Sequence, residues 1–153
     1  MLRTLSLVAA LALPGVATAQ NIIAGDGTRI ANYFLNEGFA PELTTDSVGD
    51  PLINVDFYGT DMSVYFYGCD EGARCSSIQF YSGYSVNGAV RLAQINEWNT
   101  ENRYAKAYIS ESGSARIEYD IYLGNTGLTE ADFAKALSSW VQLQKQFEAV
   151  IDW

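Results

Sequence analysis

The last part of the chain carries one pattern that any fold must satisfy. Phe133, Ala136, Trp140, Leu143, Phe147 and Val150 recur at alternating three- and four-residue steps, and Leu137 and Val141 widen the stripe. At helical periodicity these side chains share one face. Thr129 followed by Asp132 reads as a capping box that starts the helix, and Leu128 can staple against Phe133. A face this broad and aromatic must be covered by another part of the fold or by another chain.

The preceding residues offer a sheet to cover it. Ile53, Val55 and Phe57 alternate with Asn54, Asp56 and Tyr58. A tight turn from Gly59 to Asp61 follows, and then Met62, Val64 and Phe66 alternate with Ser63, Tyr65 and Tyr67. Period-two alternation on both sides of a turn predicts a hairpin with one buried face. Ile78 and Phe80 mark a third strand, and Leu43 with Thr45 suggests a short extra one before the Asp50-Pro51 turn. Arg103 to Ser110 sets Ala105, Ala107 and Ile109 against Tyr104, Lys106 and Tyr108. After Ser112-Gly113, Ile117, Tyr119, Ile121 and Leu123 alternate with Arg116, Glu118, Asp120 and Tyr122, completing the clearest hairpin in the chain. Two further helices are predicted. One runs from an Asp26 cap to Gly38, with Ile30, Tyr33 and Phe34 on one face. The other runs from Asn87 to Asn99, with Leu92 and Ile95 as its apolar face. Helices at both ends of a mostly antiparallel sheet make an α+β domain.

The first residues describe a destination. Arg3 precedes an apolar run from Leu5 to Leu13, Pro14-Gly15 breaks it, and Ala17-Thr18-Ala19 has small residues where a signal peptidase reads. This is the layout of a secretory signal peptide over residues 1–19. The run is too short for a membrane anchor, which needs roughly 20 apolar residues. Residues 20–153 then form a single domain, expected to be soluble and periplasmic or secreted. Arg3 leaves with the signal and no acid does, so nine basic and eighteen acidic residues become eight and eighteen, a net charge of −10. That balance argues against nucleic acid and anionic lipid as partners, since both need cationic patches.

Export also bears on the two cysteines. Cys69 and Cys75 bracket D-E-G-A-R, and in an oxidising compartment the first reading is a disulfide closing this loop. A redox-active pair is the other reading, but the spacing is not C-x-x-C. No metal site is expected, because the chain has no histidine and two thiolates do not make a four-ligand site.

Catalytic signatures are sparse. The absence of histidine removes histidine-dependent triads and the commonest general base. Glu118 and Asp120 share one strand face about 7 Å apart, near the separation used by glycosidases. A solvated strand face explains them more simply, since alternation puts polar residues outward anyway. Tyr58, Tyr65, Tyr67 and Tyr81 fall on the polar sides of their strands. They could form a binding surface. The simpler expectation is that a helix covers them, as flanking helices often do on both sides of a sheet. Asn96, Trp98 and Asn99 crowd the junction of the second helix with the next strand, and they read as a structural motif: Asn99 to end the helix, Asn96 to tie the loop, Trp98 to pack beside the sheet edge. A ligand site is the alternative there.

Several of these segments also resemble a known family. I-N-E-W-N-T-E-N-R-Y-A-K-A-Y-I, then I-E-Y-D-I-Y-L, then G-L-T-E-A-D-F-A-K-A-L-S-S-W, occur in the order found in the YbjN family of bacterial sensory transduction regulators. D-S-V-G-D-P-L-I-N-V, F-Y-G-C and C-S-S-I-Q-F resemble its secreted members. The likeness runs over about residues 26–151, and its most specific part is N-x-W-N with R-Y-A-K-A-Y. It implies a fold similar to type III secretion chaperones, an antiparallel β-sheet with helices packed on it. It carries no catalytic residues onto this chain and implies no cofactor. The signal peptide departs from those chaperones, which work in the cytosol.

The expected function is therefore a non-enzymatic periplasmic domain that binds a protein or peptide, with a regulatory or stress-related role and a homodimer left open. The alternative is a small-ligand receptor or a hydrolase using Glu118 and Asp120. The localisation has a direct check: intact mass of exported protein should correspond to a chain beginning at Gln20, and periplasmic protein still carrying Met1 would refute the cleaved signal.

Overall fold

A computed structural model describes residues 21–86 and 88–153 of the chain. The predicted signal peptide and Gln20 lie outside the described residues. Among the described residues three helices and six strands follow one another as α1 (Thr28–Asn36), β1 (Glu42–Thr45), β2 (Pro51–Phe57), β3 (Thr60–Tyr67), β4 (Ser77–Tyr84), α2 (Leu92–Glu101), β5 (Ala105–Ile109), β6 (Ala115–Tyr122) and α3 (Glu130–Ile151). The strands form one antiparallel sheet in the order β1-β2-β3-β4-β6-β5. The fold is α+β, as the alternating and helical periodicities predict.

Each strand owes its place to its alternation. Register sets Ile53 against Val64, Val64 against Phe80, Phe80 against Tyr119, and Tyr119 against Ala105. Residues opposite one another share a face, so these five residues run as one apolar band across the sheet. The β2–β3 turn is only Tyr58-Gly59, both with positive φ, as a two-residue hairpin of the right twist demands. The side chain of Asp56 accepts the Gly59 N–H at 2.8 Å and closes it.

Helix α3 lies on this band. Thr129 caps it, its hydroxyl accepting the Asp132 N–H at 3.1 Å. Its buried residues are Phe133, Leu137, Trp140, Gln144, Phe147 and Ile151. The stripe is thus turned from the expected one: Leu137, Gln144 and Ile151 lie at its centre, while Ala136, Leu143 and Val150 are only partly buried at its margin. Gln144 is the reason sequence periodicity misplaces it. A glutamine reads as outward, yet its amide donates to the Ser82 hydroxyl at 2.8 Å and the Tyr84 hydroxyl at 3.1 Å. Tyr84 in turn donates to Glu148 at 2.9 Å, so the buried polar groups satisfy each other. Burial raises the Tyr84 pKa well above the usual tyrosine value.

The other helices pack on the same side. Phe34 of α1 meets Phe57 edge-on, and Tyr33 meets Phe133. The capping expected of Asp26 is displaced by one residue: Gly27 is the N-cap, and Asp26 bonds the Thr28 N–H. Helix α2 begins at Leu92, five residues after the expected start, which lies at the undescribed Asn87. Its buried face is Ile95 and Trp98, and Leu92 is exposed. Trp98 packs edge-on against Phe147 of α3, 5.4 Å between ring centres, rather than beside the sheet edge.

Cys69 and Cys75 form a disulfide in the β3–β4 connection, with Cα atoms 3.8 Å apart. The Cys75 N–H donates to the Gly25 carbonyl, and Ile22 pairs with Leu128, so this connection and the start of α3 hold the segment leading into α1. Among the described residues no helix is long and apolar enough to cross a membrane.

Trp140 is fully buried against Phe80, and its indole N–H has no hydrogen-bond partner among the described residues. Trp140→Ala should cost roughly 3–5 kcal/mol. Trp140→Phe keeps an aromatic ring and removes the unpaired donor, and it should cost less than about 1.5 kcal/mol. Urea unfolding of the two variants checks this; similar losses for both would contradict the packing described.

Candidate functional site

All three helices cover one face of the sheet, and no helix among the described residues covers the other. This overturns the expectation that the outward tyrosines lie under a helix. The tyrosine-bearing part of the open face is built from alternate residues of four strands. Tyr65 and Tyr67 come from β3, Gln79 and Tyr81 from β4, Arg116, Glu118 and Asp120 from β6, and Lys106 and Tyr108 from β5.

Glu118 is the hub of this surface and is almost wholly buried there by its neighbours. Tyr108 donates its hydroxyl to one carboxylate oxygen at 2.5 Å. Gln79 donates to the other at 3.3 Å, and Lys106 approaches it at 3.1 Å. Asp120 shares the same two donors, at 2.7 Å from Gln79 and 3.0 Å from Lys106. Tyr67 donates to the Gln79 carbonyl oxygen at 3.3 Å. The Arg116 guanidinium lies 5.9 Å from the Tyr81 ring centre and 6.0 Å from that of Tyr108, within cation–π range. Tyr65 meets Tyr81 edge-on at 5.5 Å.

Electrostatics in this network keep Lys106 charged and the hydroxyls of Tyr65, Tyr67 and Tyr108 protonated. Hydrogen bonding to Asp120 and Glu118 raises the Lys106 pKa and keeps its ammonium charged. Burial, reinforced by the bond to Glu118, raises the Tyr108 pKa. Burial does the same for Tyr65 and Tyr67. Every one of these shifts moves away from neutrality, the reverse of what general acid–base chemistry near pH 7 requires. Glu118 and Asp120 share donors on an open surface. Asp120 borders a hollow of about 520 Å³ with Tyr67, Gln79 and Tyr122, and Glu118 is not part of its lining.

The structure brings Tyr65, Tyr67 and Tyr81 together and leaves Tyr58 apart. Tyr58 sits in the β2–β3 turn, where alternation ends, and packs on Phe39 and Phe57 beside a groove of about 390 Å³ between α1 and α3. Period-two alternation already places Lys106, Tyr108 and Arg116 on the polar sides of their strands. Their convergence on Glu118, and the part played by Gln79, depend on cross-strand register, which alternation within single strands does not contain.

The N-x-W-N segment serves the sheet edge. The Asn99 amide donates to the Ala107 carbonyl at 3.0 Å, and its oxygen accepts the Ala107 N–H at 2.8 Å. Asn99 thus pairs with β5 as a neighbouring strand would. Asn102 caps α2, donating to the Trp98 carbonyl, and Asn96 is exposed.

Comparison with known proteins places the chain and its fold among relatives. The family model of YbjN, described as "Putative bacterial sensory transduction regulator", matches residues 26–153. The crystal structure of an uncharacterized protein from Methanothermobacter thermautotrophicus superposes with a TM-score of 0.57 at 14% identity, covering 83% of this chain and 96% of that one. The crystal structure of YbjN from E. coli, described as a putative transcription regulator, gives a TM-score of 0.51 at 13% identity over 80% of this chain and 85% of that one. At such identities the two structures speak for the fold alone. No curated protein sequence matches the chain.

The role of Glu118 can be read from stability. If it organises the face, Glu118→Gln puts a donor where donors already converge and should destabilise the domain by about 1–3 kcal/mol. Asp120 is largely exposed, and Asp120→Asn should change stability by less than about 1 kcal/mol. Thermal melts of the two variants test this. A more stable Glu118→Gln, as expected of a strained catalytic group, would contradict it.

Proposed function

The chain belongs to the YbjN family, and we propose that this member is a non-enzymatic domain that binds a protein or peptide outside the cytoplasm, in a regulatory role. The observation that carries the reading is the one-sided packing of the helices. It leaves a broad sheet face bearing Tyr65, Tyr67, Tyr81 and Tyr108 with Arg116 among them. Tyrosine and arginine are the residue types that dominate protein–protein contacts, because they combine large rigid contact area with hydrogen-bonding ends. The face is also pre-ordered. Tyr67, Gln79, Tyr108 and Lys106 are tied to the two carboxylates before any partner arrives, which lowers the entropy lost on binding.

The same geometry weighs against the hydrolase alternative. Glu118 and Asp120 spend their oxygens on neighbours of the face, and the hollow beside Asp120 is not lined by Glu118. What supports a location outside the cytoplasm is the leader-like layout of the first nineteen residues, together with the disulfide.

Replacing Tyr65 and Tyr67 together by serine tests the reading. Capture of partner from periplasmic extract should fall while the melting temperature stays nearly unchanged, since Tyr67 is exposed and Tyr65 half-exposed. Unfolding of the double variant, or undiminished capture by a folded one, would move the binding surface elsewhere.

A further inference from the structure

The two edges of the sheet are finished differently. At the β5 edge, the Ser110 N–H bonds the Ser114 carbonyl, so Tyr108 and Lys106 face β6 and Ala107 turns outward. Asn99 takes both outward groups of Ala107, and α2 lies against the strand. At the other edge, the Asp46 N–H bonds the Asp50 carbonyl at 2.8 Å. By the same alternation Thr44 and Glu42 face β2, and Leu43 and Thr45 turn their N–H and C=O groups away from the sheet. All four residues of β1 are exposed, and no bond to those outward groups occurs among the described residues. A bare edge of this kind accepts an added strand.

Charge decides what kind of strand fits. From Ile30 to Ala73 the sequence has no lysine or arginine. On the open side of the sheet, next to β1, a hollow of about 450 Å³ is lined by Glu42, Asp56 and Asp61, and no basic residue lines it. The Glu42 and Asp61 carboxylates have no bonded partner among the described residues, while Asp56 holds the β2–β3 turn. On the helix side the edge presents the half-exposed Leu43. Side chains of an added strand would alternate between these two surroundings. A second copy of this chain is a poor occupant, because pairing β1 with itself sets one acidic edge against another.

We propose that the β1 edge binds an extended peptide in which basic and apolar residues alternate, the basic ones lying towards Glu42 and the apolar ones towards Leu43. This rests on the reading of the domain as a peptide binder and names both the class of partner and its mode of docking. The backbone of Leu43 and Thr45 supplies affinity for any extended chain, and the acidic flank selects for charge.

The test uses the full chain and a fluorescent, end-blocked peptide of alternating lysine and valine, with binding read by anisotropy. Thr45→Pro removes an outward N–H without changing charge or the bonds to β2, and proline is tolerated at such an edge position. It should weaken binding at least tenfold with the melting temperature retained, and Glu42→Gln should weaken it several-fold. The same peptide N-methylated on alternate amides probes the pairing from the ligand side and should bind at least tenfold more weakly, whether or not Thr45→Pro folds. Equal binding of native and N-methylated peptides, or of a folded Thr45→Pro and the native chain, would overturn the inference, as would no binding at all. Loss of peptide binding in Tyr65→Ser/Tyr67→Ser but not in Thr45→Pro would also overturn it while leaving the open-face reading intact. Loss of partner capture by the tyrosine variant together with intact peptide binding at the edge would support both.

Discussion

The seating of α3 on the sheet is the contact on which the rest of the molecule depends. Phe133 and Trp140 both meet Phe80 at the middle of the apolar band, and Phe147 bridges Tyr84 of the sheet to Trp98 of α2. Aromatic side chains bury on the order of 150–250 Å² each, so this row supplies much of the apolar burial of a small domain. It also decides the shape. With α3 and its neighbours on one side, the sheet has one dry face and one wet one. The polar residues that alternate with the core are thereby gathered on a single surface.

Much of the fold is legible in the chain. The strand pairs around Gly59 and Gly113 and the cap at Thr129 follow from local rules, because hairpins and amphipathic helices write their periodicity into adjacent residues. The failures in the packing share a cause, which is that they depend on partners distant in sequence, whereas the shifted starts of α1 and α2 are local. Gln144 sits at the centre of the α3 stripe because Ser82 and Tyr84 receive its amide. Trp98 is drawn to Phe147, and Leu92, expected in the apolar face of α2, is left exposed at its first turn. The candidate site divides the same way. The outward side of Tyr65, Tyr67 and Tyr81 is readable from alternation, whereas the separation of Tyr58 and the convergence on Glu118 required the register of β3, β4, β6 and β5.

The open face and the sealed β5 edge bear on each other. Asn99 occupies Ala107 as a strand would, so the network around Lys106 and Tyr108 ends against protein instead of a free edge. On the proposed reading, contacts with a partner would fall on the tyrosine-bearing face and the β1 side. Membership of the YbjN family supports a regulatory domain in general terms, and the distant structural neighbours support the architecture. What this chain adds is a face whose charged and aromatic groups are fixed in place by one another, as suits recognition better than turnover.

Hydroxyl-radical footprinting of the purified protein, with and without periplasmic extract, tests the central claim most directly, because one experiment reports every tyrosine at once. The account predicts that extract protects Tyr65, Tyr67 and Tyr81 while leaving Tyr33 and Tyr58, beside the α1–α3 groove, as reactive as before. Protection confined to Tyr33 and Tyr58, with the open face unchanged, would contradict it.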